Sequence, residues 1–103
     1  MGTYIFDQFS LLHFSSGVIA YFFGVPISLW VLIHSLFEFS ENTELGVHTI
    51  NTYLKFWPGG KPTSDSIENI IGDTISALVG WIIAYQLDIY GTKKKWYNLE
   101  TRR

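Results

Sequence analysis

The sequence predicts an all-α membrane protein, a compact bundle of three transmembrane helices plus one short amphipathic helix. Three observations lead there. Of 103 residues, 48% are hydrophobic and only 16% charged, against roughly 25% charge in a typical soluble domain. The apolar residues are gathered into blocks of membrane length instead of being spread along the chain. Helix-breaking residues fall between those blocks, at Gly24–Pro26 and through Trp57–Pro62. A chain of 103 residues allows a single domain. It has no cysteine, which rules out a disulfide framework and a thiolate metal site.

The elements follow in chain order. From Tyr4 to Phe39 the sequence is nearly all apolar, and as one straight helix it would run about 54 Å, far beyond the roughly 30 Å of hydrocarbon in a bilayer. It must therefore break, and "FFGVPIS" supplies the place. Gly24 tolerates unusual backbone angles, Pro26 disfavours a helical Val25, and proline suits the first turn of a new helix. The first helix is expected at about 4–23 and the second at about 26–42. In "LGVHTINTYLKFW", Val47, Ile50, Leu54 and Trp57 lie near one helical face, which predicts an amphipathic helix over 45–57 at the interface or closing over the bundle. "PGGKPTSD" stops it, and Thr63, Ser64 and Asp65 offer a choice of N-cap before the next helix. The third membrane helix is expected from about 66 to 90, ending before Gly91, with a basic tail over 91–103. The N-terminus "MGTYIFDQFS" lacks the basic region and small-residue cleavage site of a signal peptide, so the first apolar segment is expected to be retained.

Counting crossings then places the polar residues. If the first helix starts on side A, it ends on side B, the second returns to A, the 43–64 segment stays at A, and the last helix descends to B. This puts His13 in the A half of the first helix, His34, Glu38 and Glu41 in the A half of the second, and Asp65, Asn69 and Asp73 in the A half of the third. Their lower halves carry nothing ionisable until Asp88 near side B. The expectation is a polar cup open towards A, with an apolar floor. Lys93, Lys94, Lys95, Arg102 and Arg103 lie on side B, and the positive-inside tendency makes that side, with the C-terminus, cytoplasmic. The cup then faces the lumen, periplasm or exterior. Trp57, Trp96 and Tyr97 are expected as interface anchors.

Ionisable residues at mid-bilayer cost about 2.5–3.5 kcal/mol each on insertion scales and normally face the bundle interior. The bland reading is that they hydrogen-bond to one another to hold the helices together. The functional reading makes them a site. His34 and Glu38, spaced i, i+4, project from one face, as an oriented acid, base or nucleophile or as two ligands to a divalent metal. Glu41 lies one turn further. Asp65, Asn69 and Asp73 step along one stripe, because four helical residues advance roughly 400°. Gly72, Ser76 and Gly80 form a small-residue seam where another helix backbone can approach. His13 matches the others in depth, whereas His48 reads as interfacial. Lys61 is expected at the rim, within reach of an anionic head group.

"HSLFEFSEN", followed after a short helix by "FWPGGKPTSDSIENIIGDTISALVG", resembles the VanZ-like superfamily of small multi-helix membrane proteins. In that superfamily a helix with an acidic end precedes a Pro-Gly-basic turn and a helix patterned as Asp, three residues, Asn, two residues, Gly. The matching positions here are Asp65, Asn69 and Gly72, with Glu41 or Glu38 as the earlier acid, and "GGK" replaces the usual Gly-Arg. The likeness covers about residues 34–82. It implies a compact helical membrane core with a polar pocket, and work on phosphate-linked lipid head groups.

Three classes of function are open at this stage. The first is a membrane-embedded enzyme acting on a lipid head group, by hydrolysis or by phosphoryl or head-group transfer. In it His34, Glu38, Glu41, Asp65, Asn69 and Asp73 form the catalytic set, while His13 and Lys61 bind substrate. The pocket carboxylates would repel a phosphate, so they must be protonated, paired, or neutralised by a divalent cation. The second class is a non-catalytic small membrane subunit or assembly factor. The third, an oligomeric pore, conflicts with polar residues confined to one half of the bilayer. Membrane lipids are the expected partners, nucleic acid is not, and a homo-oligomer or larger membrane complex stays open.

Overall fold

The computed structural model describes residues 2–96, and all the regular structure among them is helical. The expected anchor Tyr97 and the basic residues Arg102 and Arg103 lie outside the described residues. There are four helices: α1 Ser10–Phe22, α2 Ile27–Glu41, α3 Glu44–Tyr53 and α4 Ile67–Lys93. α4, with 27 residues, is long and apolar enough to cross a membrane. α1 and α2 have 13 and 15 residues, below the about 20 of a straight span.

The first helix starts six residues later than the composition implied. Residues 2–9 are not helical because Asp7 stops the helix from extending backwards. Its carboxylate accepts from the Phe9 amide at 3.0 Å, and its own amide donates to Ser10 Oγ at 3.0 Å. The freed segment lies along the start of α4. Ser66 donates its amide to the Gly2 carbonyl at 2.6 Å and its hydroxyl to the Thr3 carbonyl at 3.0 Å. Asn69 donates to the Tyr4 carbonyl at 2.8 Å. A Cβ on Gly72 would collide with the Ile5 carbonyl oxygen, so the absence of a side chain there lets this segment pass.

The break at Gly24–Pro26 forms as the sequence implies. Gly24 adopts φ +82°, and the amides of Gly24 and Val25 reach back to the Tyr21 and Ala20 carbonyls at 3.0 Å each. This is the doubly bonded C-terminal motif that a left-handed residue closes. Pro26 then caps α2 with an extended backbone. Thr43 caps α3, its hydroxyl accepting from the Gly46 amide at 3.0 Å, and the helix ends at Tyr53, four residues short of the expected 57. Turns closed by Leu54 and Trp57 carbonyls take the rest.

Ser66 caps α4, accepting from the Asn69 amide at 3.1 Å, in place of Thr63, Ser64 or Asp65. Asp65 is engaged elsewhere, by Lys61. At its far end α4 runs through Gly91 to Lys93, beyond the expected 90. The chain turns at Lys95, φ +56°, with the Trp96 amide on the Gly91 carbonyl at 2.9 Å and the Lys95 amide on Thr92 at 3.2 Å. The Trp96 ring lies over Gly91, so that glycine admits the ring instead of ending the helix.

Contacts fix the helix directions. Along α1 and α4, His13 meets Asp73, Gly17 meets Ala77, and Tyr21 meets Tyr85 and Asp88, so the two run parallel. The Val25 carbonyl accepts from Trp81 Nε1 and Trp30 Nε1 donates to the Ala77 carbonyl, so α2 runs antiparallel to both. The small-residue seam joins α1 to α4 within this chain: a Cβ on Gly17 or Gly80 would strike the facing backbone carbonyl of Ala77 or Phe14. α1 and α2 touch at few points. Burial is inverted relative to a water-soluble domain. The buried apolar residues are Ala20, Ile50, Ala77 and Ala84, while His34, Glu38, Glu41, Lys61, Asn69, Asp73 and Asp88 are buried and most large apolar side chains face outwards.

Candidate functional site

Helix direction and period bring one level of three helices together. On α2, His34 and Glu38 share a face turned inwards, and both are nearly inaccessible, at 3% and 1%. On α4, Asp73 points to the same place from across the bundle. His13, on α1, stands between them and joins the two helices' polar groups. Its Nε2 lies 3.1 Å from Asp73 Oδ2, and its Nδ1 lies 3.0 Å from His34 Nε2 and 3.5 Å from Glu38 Oε1. His34 Nε2 is 3.7 Å from that same Glu38 oxygen. The two imidazoles meet edge to face, and Trp30 packs on His34 in the same manner.

A second group sits towards the α3 end. Glu38, Glu41 and Asp65 each place a carboxylate oxygen within 4.8 Å of the others. Lys61 comes to them from the connector after α3, donating from Nζ to Asp65 Oδ2 at 2.8 Å. The expectation of a lysine at the rim is corrected here: Lys61 is only 4% exposed and its ammonium is committed to Asp65. The loop can carry it inwards because the Lys61 carbonyl accepts from Asn51 Nδ2 at 2.7 Å, which ties the connector to α3.

Sequence reasoning missed two members. Asn42 links the groups: its Nδ2 donates to the Glu38 carbonyl at 2.8 Å and to Glu38 Oε2 at 3.3 Å, and its Oδ1 accepts from the Asp65 amide at 2.7 Å. Its position four residues after Glu38 was the available signal. Asp7 holds the Phe9 amide and receives Asn69 Nδ2 at 3.3 Å. It was hidden inside an apolar block read as helix. Asn69 does line the cavity, but its amide hydrogens go to Tyr4 and Asp7, so it tethers the N-terminal segment.

These groups border a cavity of about 450 Å³. Its lining includes the polar His13, His34, Glu41, Lys61, Asp65 and Asp73 and the apolar Phe9, Leu12, Trp30, Ile33, Phe37 and Trp57. Phe37 and Trp57, both in that lining, stack at 6.0 Å. His48, exposed on α3, takes no part. Far from the cavity, the Tyr21 hydroxyl donates to the buried Asp88 carboxylate. Asp73 and Asp88 are fifteen residues apart on α4, so this pair lies about 22 Å from the cup.

No family model, curated protein or solved structure matches the chain. The class it defines rests on its own geometry: an all-helical bundle, outwardly apolar, with imidazoles, carboxylates and an ammonium gathered around one cavity.

Proposed function

We propose that this protein is a membrane-embedded enzyme that acts on a phosphate-bearing lipid head group in the cavity between α1, α2 and α4. The observation that carries this reading is the convergence of His13, His34 and Asp73, from three helices and with Glu38 behind them, on a cavity that apolar side chains also line. A purely structural network needs polar partners but no space beside them.

Membrane embedding is part of the proposal. The outward apolar residues form the surface lipid would cover, and α4 has the length to cross. α1 is short, yet residues 2–22 together follow α4 from Ser66 to Asp88, about 33 Å of helix axis. The carbonyls of residues 2–4 accept hydrogen bonds from Ser66 and Asn69, and that of Ile5 lies against Gly72, so the start of α4 covers this non-helical backbone. The sparse contact of α1 with α2 leaves a side through which a lipid tail can remain in the bilayer while its head group reaches the polar wall.

In this scheme His34, hydrogen-bonded through His13 to Asp73, acts as base or nucleophile. Lys61, oriented by its ion pair with Asp65, supplies the positive charge that faces the anionic group. The test is turnover of labelled phospholipids and polyprenyl phosphates by the purified protein in nanodiscs, with and without Mg²⁺, Mn²⁺ or Zn²⁺. Asp73→Asn and His34→Gln should abolish turnover while the protein stays folded. If the wild type turns over no lipid under any of these conditions, the subunit reading replaces this one.

A further inference from the structure

We infer that His13, His34 and Glu38 form a binding site for one divalent transition metal of the zinc class, oriented by Asp73. Three atoms that can each offer a lone pair to a metal once the hydrogen shared by the two imidazoles is displaced, His13 Nδ1, His34 Nε2 and Glu38 Oε1, face one another at 3.0, 3.5 and 3.7 Å. A tetrahedral zinc with ligands at about 2.0–2.1 Å separates neighbouring ligand atoms by about 3.4 Å, so the triangle already has the span of one face of that polyhedron. Two imidazoles and a carboxylate match the donor set of open zinc sites, in which three protein ligands leave one position free.

Two further observations point the same way. Glu38, 1% exposed, aims Oε1 at the two histidines yet has no hydrogen-bond partner for it among the described residues. Leaving a buried carboxylate oxygen so placed is costly unless a cation or proton completes it. Asp73 holds the outer nitrogen of His13 at 3.1 Å, the carboxylate–histidine arrangement that fixes a metal-ligating imidazole in place. The neighbouring Glu38, Glu41 and Asp65 group differs, because Lys61 already lies within it. That leaves five carboxylates, Asp7, Glu38, Glu41, Asp65 and Asp73, at or behind the cavity lining, with Lys61 the one ammonium among the described lining residues. A divalent ion reduces this excess, and with it the repulsion of any anion entering the cavity. His13 and His34 line that cavity and Glu38 lies behind them, so the fourth position opens where a water or a phosphate oxygen can bind.

The inference stands apart from the lipid reading, and its test uses no lipid. The full chain, purified in detergent without a histidine tag and stripped with chelator, is titrated with Zn²⁺ and with Co²⁺. The expected result is about one equivalent bound, with the intense visible bands of four-coordinate cobalt and two imidazoles in the X-ray absorption spectrum. Glu38→Gln and His34→Gln should weaken binding by more than about 100-fold, and Asp73→Asn by about 10–100-fold. His48→Ala should bind as the wild type does. Substoichiometric binding by the wild type, a cobalt site without imidazole, or unaltered binding by Glu38→Gln overturns the inference. Should the ligand variants fail to fold, the wild-type stoichiometry and imidazole count decide alone.

Discussion

Lys61 occupies the least hospitable environment for its type, an ammonium 4% exposed whose carboxylate partner is Asp65 at 2.8 Å. Removing one member of a buried pair leaves the other uncompensated, at about 3–5 kcal/mol, whereas replacing both with apolar groups is often near neutral. Lys61→Met should therefore lower stability by about that amount in chemical denaturation, and Lys61→Met with Asp65→Leu should recover much of it. A double variant no better than the single would mean that Lys61 is held mainly by the other carboxylates. Asn69 and Asp73, one turn apart, should separate in the same assay. Asn69→Ala loses its bonds to Tyr4 and Asp7 and should cost about 1–3 kcal/mol, with faster hydrogen exchange over residues 2–8. Asp73→Asn preserves shape and should cost less, so that its defect appears in turnover and in metal affinity.

Among the elements, the α1–α4 contact depends on glycines that admit backbone. A methyl on Gly80 would strike the Phe14 carbonyl, whereas one on Gly24 would meet nothing, although Gly24 has φ +82°. Gly80→Ala must force the helices apart, an overpacking cost of about 1–3 kcal/mol, and it should also shift His13 relative to Asp73. Gly24→Ala carries only the left-handed backbone penalty, about 1–2 kcal/mol, with the site undisturbed. Zinc affinity read beside thermal stability distinguishes them: Gly80→Ala should impair both, Gly24→Ala stability alone. At the end of α4, Lys95 sits at the left-handed closing position that glycine prefers. Lys95→Gly should stabilise by about 1 kcal/mol, visible as a higher melting temperature.

For the whole molecule, the parallel course of α1 and α4 and the antiparallel α2 put residues 42–66 at one end of the bundle and Lys93–Lys95 at the other. If the chain is embedded as proposed, single cysteines at Thr52 and Lys93, both exposed, should label from opposite sides of a sealed membrane, with Lys93 on the cytoplasmic side. The chain has no native cysteine to confuse the result. Labelling from one side would overturn the crossing scheme and, with it, access to the cavity from the non-cytoplasmic face.

Much of this was written locally. The all-helical class, the break at Gly24–Pro26, the short amphipathic helix and the long last helix follow from apolar blocks and from residues whose backbone freedom acts within a turn or two. The stripe of His34 and Glu38, and that of Asn69 and Asp73, likewise follow from the helical period. Only the tertiary structure decided that Asn69 binds the backbone of the N-terminal segment, that Lys61 is buried, and that His13 lies between His34 and Asp73. Each depends on contacts between residues 10 to 65 positions apart in the chain. Sequence spacing gives the face a side chain occupies on its own helix, but the distance across to another helix is set by how closely the backbones approach. Here that approach is set by Gly17 and Gly80, which have no side chain to hold α1 and α4 apart.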